Sequence, residues 1–121
     1  MGHCSCPLKV TFAAANNRFE IKCGDQTAAA SGTLQFKIKT DLTSINLGGC
    51  NYSGGRKTTV TVDLTASADG YTVTDLGDGW VLVKVPMSVI GVADYLAEFA
   101  IRFYDTNAAG TFYLKDMNFV A

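Results

Sequence analysis

Hydrophobic and polar residues alternate with a period of two along most of this chain. The segment 34–39, with the sequence LQFKIK, alternates strictly between apolar and polar side chains. Successive side chains of a β-strand point to opposite faces, so this pattern predicts a strand with one buried and one solvent-facing side. The same alternation predicts further strands at 8–12, 19–23, 60–64, 80–85, 99–104 and 112–115, and weaker ones at 45–47 and 71–73.

Short stretches rich in Gly, Asn and Asp separate the predicted strands. The pairs 48–49 and 69–70 and the triplet 77–79 consist of residue types that tight turns favour, and we interpret all three as turns. Helical turns are expected only within 87–98, where Gly91 weakens the helical tendency. Seven to nine short strands with such turns predict an all-β fold, an antiparallel β-sandwich or jelly roll of about eight strands.

The composition fits a single packed domain that spans residues 1–121. Hydrophobic residues make up 48% of the chain, which is ample for one core. Ten Lys and Arg against eleven Asp and Glu give a net charge of −1, so the chain lacks the bulk positive charge that nonspecific nucleic-acid binding needs. No apolar run approaches the ~18–20 residues of a membrane span. We therefore expect neither a nucleic acid nor a membrane as partner.

The four cysteines, Cys4, Cys6, Cys23 and Cys50, leave their pairing open. Cys4 and Cys6 are too close in sequence to pair comfortably with each other, so each would need a distant partner. We expect at most one disulfide, with free thiols as an equal alternative. The spacing of His3 and the cysteines matches none of the usual zinc patterns, so no zinc site is expected.

Recognised catalytic motifs are absent from the sequence. The patterns of phosphate-binding loops, nucleophile elbows and zinc proteases do not occur. A glycosidase needs a pair of carboxylates, but the acids of this chain fall mostly in predicted turns and at strand ends. The single histidine leaves no spare base for a His-dependent triad. We therefore expect no enzymatic activity, and a small glycosidase or lyase is the catalytic alternative.

Several segments resemble strands of β-sandwich carbohydrate-binding modules. Residues 79–87, GWVLVKVPM, resemble a strand with the pattern Gly-Trp-x-x-Val-x-Val-Pro. Residues 99–104 and 110–117 resemble the hairpin that closes such modules, and residues 34–41 resemble an early core strand. The resemblance extends over about residues 33–120. It implies a jelly-roll sandwich whose role is non-catalytic binding of polysaccharide, beside an enzyme that degrades plant cell walls.

The same resemblance implies a secreted, monomeric module of a larger multimodular enzyme. The chain begins Met1-Gly2-His3, without the charged region and apolar stretch of a signal peptide. We expect residues 1–3 to be an addition to the natural sequence. If the natural protein is secreted, we expect this chain to be one module taken from it.

The resemblance also leaves a structural calcium ion as the one expected cofactor. Such modules often end in an Asp-Asp-Ile-like sequence, in which an acid can support calcium. Lys115 stands at the first of these positions and Asp116 at the second. Calcium would then take oxygen ligands from Asp116, Asp25 and backbone carbonyls.

Basic residues occupy outward positions of several predicted strands. A face with several cations and few tryptophans suits an acidic polysaccharide such as pectic homogalacturonan, because Lys and Arg bind carboxylates. The alternative is that these lysines only keep the outer faces solvated and protect sheet edges. Jelly-roll order would gather Lys37, Lys39, Lys84 and Lys115 on one face and place Arg102 and Tyr104 on the other. These six residues and Trp80 are the candidate ligand-binding residues.

The aromatic residues support a second hypothesis. Trp80 is interpreted either as a platform on which a pyranose ring stacks or as a residue packed at the sheet edge near Pro86. Tyr104 and Tyr113 alternate onto polar strand faces, and Tyr52 follows Asn51 in a Gly-rich loop. A module that used these aromatics would bind a neutral β-glucan or hemicellulose. A third hypothesis is a structural or interaction domain without a glycan ligand.

Overall fold

The computed structural model describes residues 8–12, 19–27, 30–51, 59–90, 93–103 and 110–120. Nine strands account for most of these residues, which confirms the all-β prediction with one strand more than the expected eight. The strands are β1 (Leu8–Phe12), β2 (Phe19–Gly24), β3 (Thr33–Thr40), β4 (Ser44–Asn51), β5 (Val60–Asp63), β6 (Thr72–Gly77), β7 (Trp80–Pro86), β8 (Phe99–Phe103) and β9 (Gly110–Val120).

The strands form two antiparallel sheets. The front sheet has five strands in the order β1-β9-β3-β7-β6, and the back sheet has four in the order β2-β8-β4-β5. Because consecutive strands often belong to different sheets, the chain crosses between the sheets repeatedly, as in sandwiches of the jelly-roll kind.

The core lies between the two sheets and is built from their inward side chains. Phe36 of β3 and Phe112 of β9 come from the front sheet, and Phe103 of β8 comes from the back sheet. The ring of Phe103 lies 6.0 Å from that of Phe36 and 5.2 Å from that of Phe112, measured between centroids. All three rings are fully buried, so these contacts fasten the sheets to each other.

The predicted turn at Gly48-Gly49 is wrong, because both glycines lie inside β4. Gly48 pairs with Arg102 and Gly49 with Ile101 of β8. An ideal Cβ on Gly49 would meet the carbonyl oxygen of Ile90 and the ring of Phe99 at impossible distances. The glycine therefore allows a close approach of backbone to backbone inside the sandwich, a common reason for glycine within a strand.

The other predicted turns and strands agree with the structure over the described residues, except that Gly77 of the turn predicted at 77–79 is the last residue of β6. Asp78 and Gly79 form the turn between β6 and β7, and the weak strand expected at 71–73 is β6, which runs from Thr72 to Gly77. The helical turns fall where they were expected, as the single α-helical turn α1 (Met87–Ile90) and a 3₁₀ segment (Ala93–Glu98). Among the described residues no helix is long and apolar enough to cross a membrane.

Candidate functional site

Alternation along β3 explains why its lysines lie on the surface. Leu34, Phe36 and Ile38 are fully buried against the back sheet. The intervening Lys37 and Lys39 must then point to the opposite side of the front sheet. The same argument applies to β7, where Val83 and Val85 are buried, and to β9 before residue 116.

The register of the front sheet brings the predicted lysines together in three rows. In the first row Tyr113, Lys39 and Trp80 are neighbours on β9, β3 and β7, and Lys9 of β1 extends it beyond Tyr113. In the second row Lys115 pairs with Lys37, which pairs with Leu82. In the third row Asn118 pairs with Gln35, which pairs with Lys84. We call this surface the lysine face; its principal residues are Lys9, Lys37, Lys39, Trp80, Lys84, Tyr113, Lys115 and Asp116.

The lysine face is strongly positive although the chain as a whole is not. It holds five of the ten basic residues of a chain whose net charge is −1. Asp116 is the one acid at the outward positions of the described strands β1, β9, β3 and β7. A surface of this kind attracts anions, and lysine ammonium groups supply charge without fixing one geometry.

Trp80 lies on the lysine face, not in the core, and one lysine partly covers it. The Nζ atom of Lys115 is 4.2 Å from the centroid of the Trp80 ring, within the range of a cation–π interaction. Lys115 lies on β9 and Trp80 on β7, so the lysine side chain reaches across β3. The ammonium group is thereby held near Lys39, at the Trp80 end of the face.

Lys37 forms an ion pair at the centre of the lysine face. Its Nζ atom donates a hydrogen bond to Oδ2 of Asp116 at 2.8 Å. Asp116 follows outward Lys115, and strict alternation would turn its side chain toward the core. Instead β9 has a bulge here, where Phe36 alone faces Asp116 and Met117, and Asp116 has a φ of 54°. The bulge leaves the Asp116 side chain exposed beside Lys37.

Two cavities mark the two ends of the lysine face. The first, of about 370 Å³, is lined by Lys9, Lys39 and Tyr113 and also by Asp41. The second, of about 420 Å³, is lined by Lys84 together with residues near the start of β6 and the end of β7. An extended ligand that reached from one cavity to the other would lie across the three rows on β9, β3 and β7.

Two of the candidate binding residues do not join this face. Arg102 lies on β8 of the back sheet, on the other side of the sandwich from the lysines, as expected from the sequence. Its Nη2 and Nε atoms both donate to Oε2 of Glu20, at 2.7 and 3.2 Å, so the guanidinium is already engaged in a carboxylate contact. Tyr104 lies outside the described residues. Lys9, by contrast, joins the face although sequence reasoning missed it, because its position depends on β1 pairing with β9.

The Glu20–Arg102 pair also accepts a hydrogen bond from the buried thiol of Cys50. Burial raises the pKa of Glu20, but hydrogen bonds from Arg102 and Cys50 and the positive charge of Arg102 outweigh it, so the pKa lies below its usual value. Cys50 Sγ donates to Oε2 of Glu20 at 3.3 Å. Burial, and then the Glu20 carboxylate, raises the pKa of Cys50 to about 11. Cys23 and Cys50 are free thiols, and burial raises the pKa of Cys23 as well.

The two carboxylates expected to hold calcium do not assemble into a site. Asp116 lies in the front sheet with a lysine ammonium against it, and Asp25 follows β2 of the back sheet. Hydrogen bonding to the side chain of Thr27, and then to its backbone N–H, which donates to Oδ1 at 2.9 Å, lowers the pKa of Asp25. Within the part of the chain that the structure describes, no three His, Cys, Asp or Glu residues are grouped as metal ligands. Calcium binding stays a prediction without support from these residues.

Comparison of the chain with protein-family models, with curated protein sequences and with solved structures gives no match. The fold and the geometry of the lysine face therefore carry the functional argument.

Proposed function

We propose that this domain is a non-catalytic carbohydrate-binding module that binds an acidic plant cell-wall polysaccharide, of the homogalacturonan type, on its lysine face. In this proposal it is a monomeric part of a larger, secreted enzyme. The observation that supports the proposal best is the gathering of five lysines on one sheet face of a chain with a net charge of −1.

The arrangement of the lysines suits a polymer of uronic acids. Carboxylates repeat along such a polymer, and Lys39, Lys84 and Lys115 are distributed over three neighbouring strands rather than grouped at one point. Each ammonium group can donate to a carboxylate from a range of directions, because lysine has a flexible stem and three rotatable donors. The aromatic rings of Trp80 and Tyr113 offer apolar surface to the sugar rings between the charges.

The neutral-glycan hypothesis is favoured less, for a specific reason. A module for neutral sugars relies on open aromatic faces, but the Lys115 ammonium lies over the ring of Trp80. Stacking of a sugar on that side of the ring would require Lys115 to leave. Trp80 and Tyr113 do stand in one row on either side of Lys39, which keeps a neutral β-glucan or hemicellulose as the second candidate ligand.

Affinity electrophoresis tests the proposal. Homogalacturonan, xyloglucan, xylan, mannan and barley β-glucan are cast into separate native gels, and we expect retardation by homogalacturonan. Lys39→Ala and Lys84→Ala should each weaken binding by about 1 kcal/mol, about fivefold in Kd, the upper value for an exposed charge contact. The matched control is Lys22→Ala, which removes the same charge from β2 of the back sheet and should leave binding unchanged.

Four results would contradict the proposal in different ways. Retardation by neutral glucans alone would move the site to Trp80 and Tyr113. An equal loss in Lys22→Ala and Lys39→Ala would mean that only the net charge matters. No retardation in any gel would favour a structural or interaction domain. Release of reducing ends from the same polysaccharides would identify an enzyme instead of a binding module.

A further inference from the structure

An acid at the centre of the lysine face is unexpected on a surface that binds polyanions. Asp116 occupies that place, and its side chain is 32% exposed, so a bound ligand can meet it. Its backbone adopts a left-handed conformation that few residues other than glycine accept, although Asp tolerates it better than most. Bulges and such backbone outliers persist where the surrounding structure holds them, and they often aim a side chain at a ligand.

The ion pair divides the lysine face into two cationic ends and a neutral centre. Lys37 and Asp116 are joined at 2.8 Å and together carry no net charge. On one side Lys9, Lys39 and Lys115 gather around Trp80 and Tyr113. On the other side Lys84 lies beside Gln35 and Thr72 in the sheet, in the row of Asn118, and lines a cavity together with Asp69. Lys39 and Lys84 are four residues and one strand apart in register, which places their Cα atoms about 14 Å apart. That distance exceeds the length of one sugar ring.

We propose that Asp116 is a specificity-determining residue, which makes the centre of the lysine face accept an uncharged sugar unit between two charged ones. A uronate carboxylate at the centre would face the Asp116 carboxylate, and like charges in contact disfavour binding. A methyl-esterified or neutral unit would meet a paired, uncharged surface. The ligand is then a partly esterified or otherwise interrupted acidic polysaccharide. This inference rests on the proposed function and refines its ligand.

The test compares two ligands that differ only in charge pattern. Isothermal titration calorimetry gives Kd for fully de-esterified oligogalacturonides and for partly methyl-esterified oligogalacturonides of the same length. Asp116→Asn removes the charge and keeps a side chain that tolerates left-handed backbone. We expect this variant to shift the ratio of the two Kd values about fivefold toward the de-esterified ligand. Asp78→Asn is the matched control, since Asp78 also has a positive φ, of 55°, but lies in the turn after β6.

A second set of variants tests whether the pair acts as a unit. Lys37→Gln alone removes the ammonium group that contacts the Asp116 carboxylate at 2.8 Å and should weaken binding of both ligands. Lys37→Gln combined with Asp116→Asn removes the pair and should restore binding of the partly esterified ligand to within about twofold of the original. Thermal melts of each variant check that the sandwich remains folded.

The outcomes separate this inference from the proposed function. If the unaltered protein binds neither ligand, both proposals fail. If it binds them but Asp116→Asn leaves the Kd ratio unchanged, or shifts it as little as Asp78→Asn does, the role of Asp116 is refuted and the proposed function stands. If the double variant binds as weakly as Lys37→Gln alone, Lys37 contacts the ligand directly and the neutral-centre model is wrong.

Discussion

Gly49→Ala provides the most demanding test of how the two sheets and their connections are packed. An ideal Cβ at this position would lie 2.2 Å from the carbonyl oxygen of Ile90 and 2.4 Å from Cε1 of Phe99. Both distances are roughly 1 Å or more inside an ordinary van der Waals contact of ~3.5 Å. Neither neighbour can move away at low energetic cost. The atom of Ile90 is a backbone oxygen, and the fully buried Phe99 ring packs edge-on against the ring of Phe119, with 6.0 Å between the centroids.

The expected loss of stability follows from this overlap. Overpacking of a core by one carbon usually costs about 1–3 kcal/mol, and two immobile neighbours place this site at the upper end, about 3 kcal/mol. A domain of this size has about 5–15 kcal/mol of stability in total. We therefore expect the urea midpoint to fall substantially and the Tm to drop by about 10 °C.

Gly110→Ala is the matched control for this experiment. Gly110 also lies in a strand, but the atoms nearest to its Cβ would all belong to the side chain of Leu42, from Cδ2 at 3.0 Å to Cδ1 at 3.7 Å, and that half-buried side chain can rotate away. We expect a loss below about 1 kcal/mol for Gly110→Ala. Equal unfolding midpoints for the two variants, or a Gly49→Ala protein as stable as the original, would refute the close approach of β4 to α1 and to Phe99.

Three further predictions concern the charged and thiol groups. Glu20 has a lowered pKa in the folded state, so its charge stabilises the fold above its unfolded pKa, and this contribution is lost as the pH falls through the folded value. Urea titrations at about pH 7 and pH 3 should therefore show that acidification lowers the free energy of unfolding less for Glu20→Gln than for the original protein. An equal decrease in the two proteins would contradict the pairing of Glu20 with Arg102. Cys50, with its pKa raised to about 11, should resist alkylation by iodoacetamide until the protein unfolds. Peptide mapping by mass spectrometry measures this alkylation, and rapid labelling of the native protein would mean that the thiol is accessible. Lys115→Ala should change the fluorescence of Trp80, the single tryptophan, because it removes the ammonium from the ring; an unchanged spectrum would place Lys115 elsewhere in solution.

The composition of the lysine face was largely predictable, because alternation fixes which side chains share a strand face. Lys37 and Lys39 flank the buried Ile38 of β3, and Lys84 lies between the buried valines of β7. Assigning these strands and β9 to one sheet required the expectation of a jelly roll, and β3, β7 and β9 do lie together in the front sheet.

The contacts on that face were not predictable, because they depend on register and local backbone conformation. Periodicity gives no sign that β9 bulges at Asp116, so the ion pair with Lys37 is visible only once β3 and β9 are aligned. The pairing of Arg102 with Glu20 likewise depends on β2 lying beside β8. Gly48-Gly49 was wrongly predicted to be a turn, because glycines also occur within a strand where another backbone approaches closely.

The unequal distribution of charge has a consequence for how the molecule approaches other surfaces. Five lysines lie on the outer side of the front sheet, while the chain as a whole carries a net charge of −1, so the charge of this face is opposite in sign to that of the molecule. Near an anionic surface the lysines favour an approach with the front sheet facing that surface, and added salt weakens this preference because the Debye length is only about 8–10 Å. At low ionic strength the protein should therefore be retained by a cation exchanger even above its isoelectric point of about 5.6.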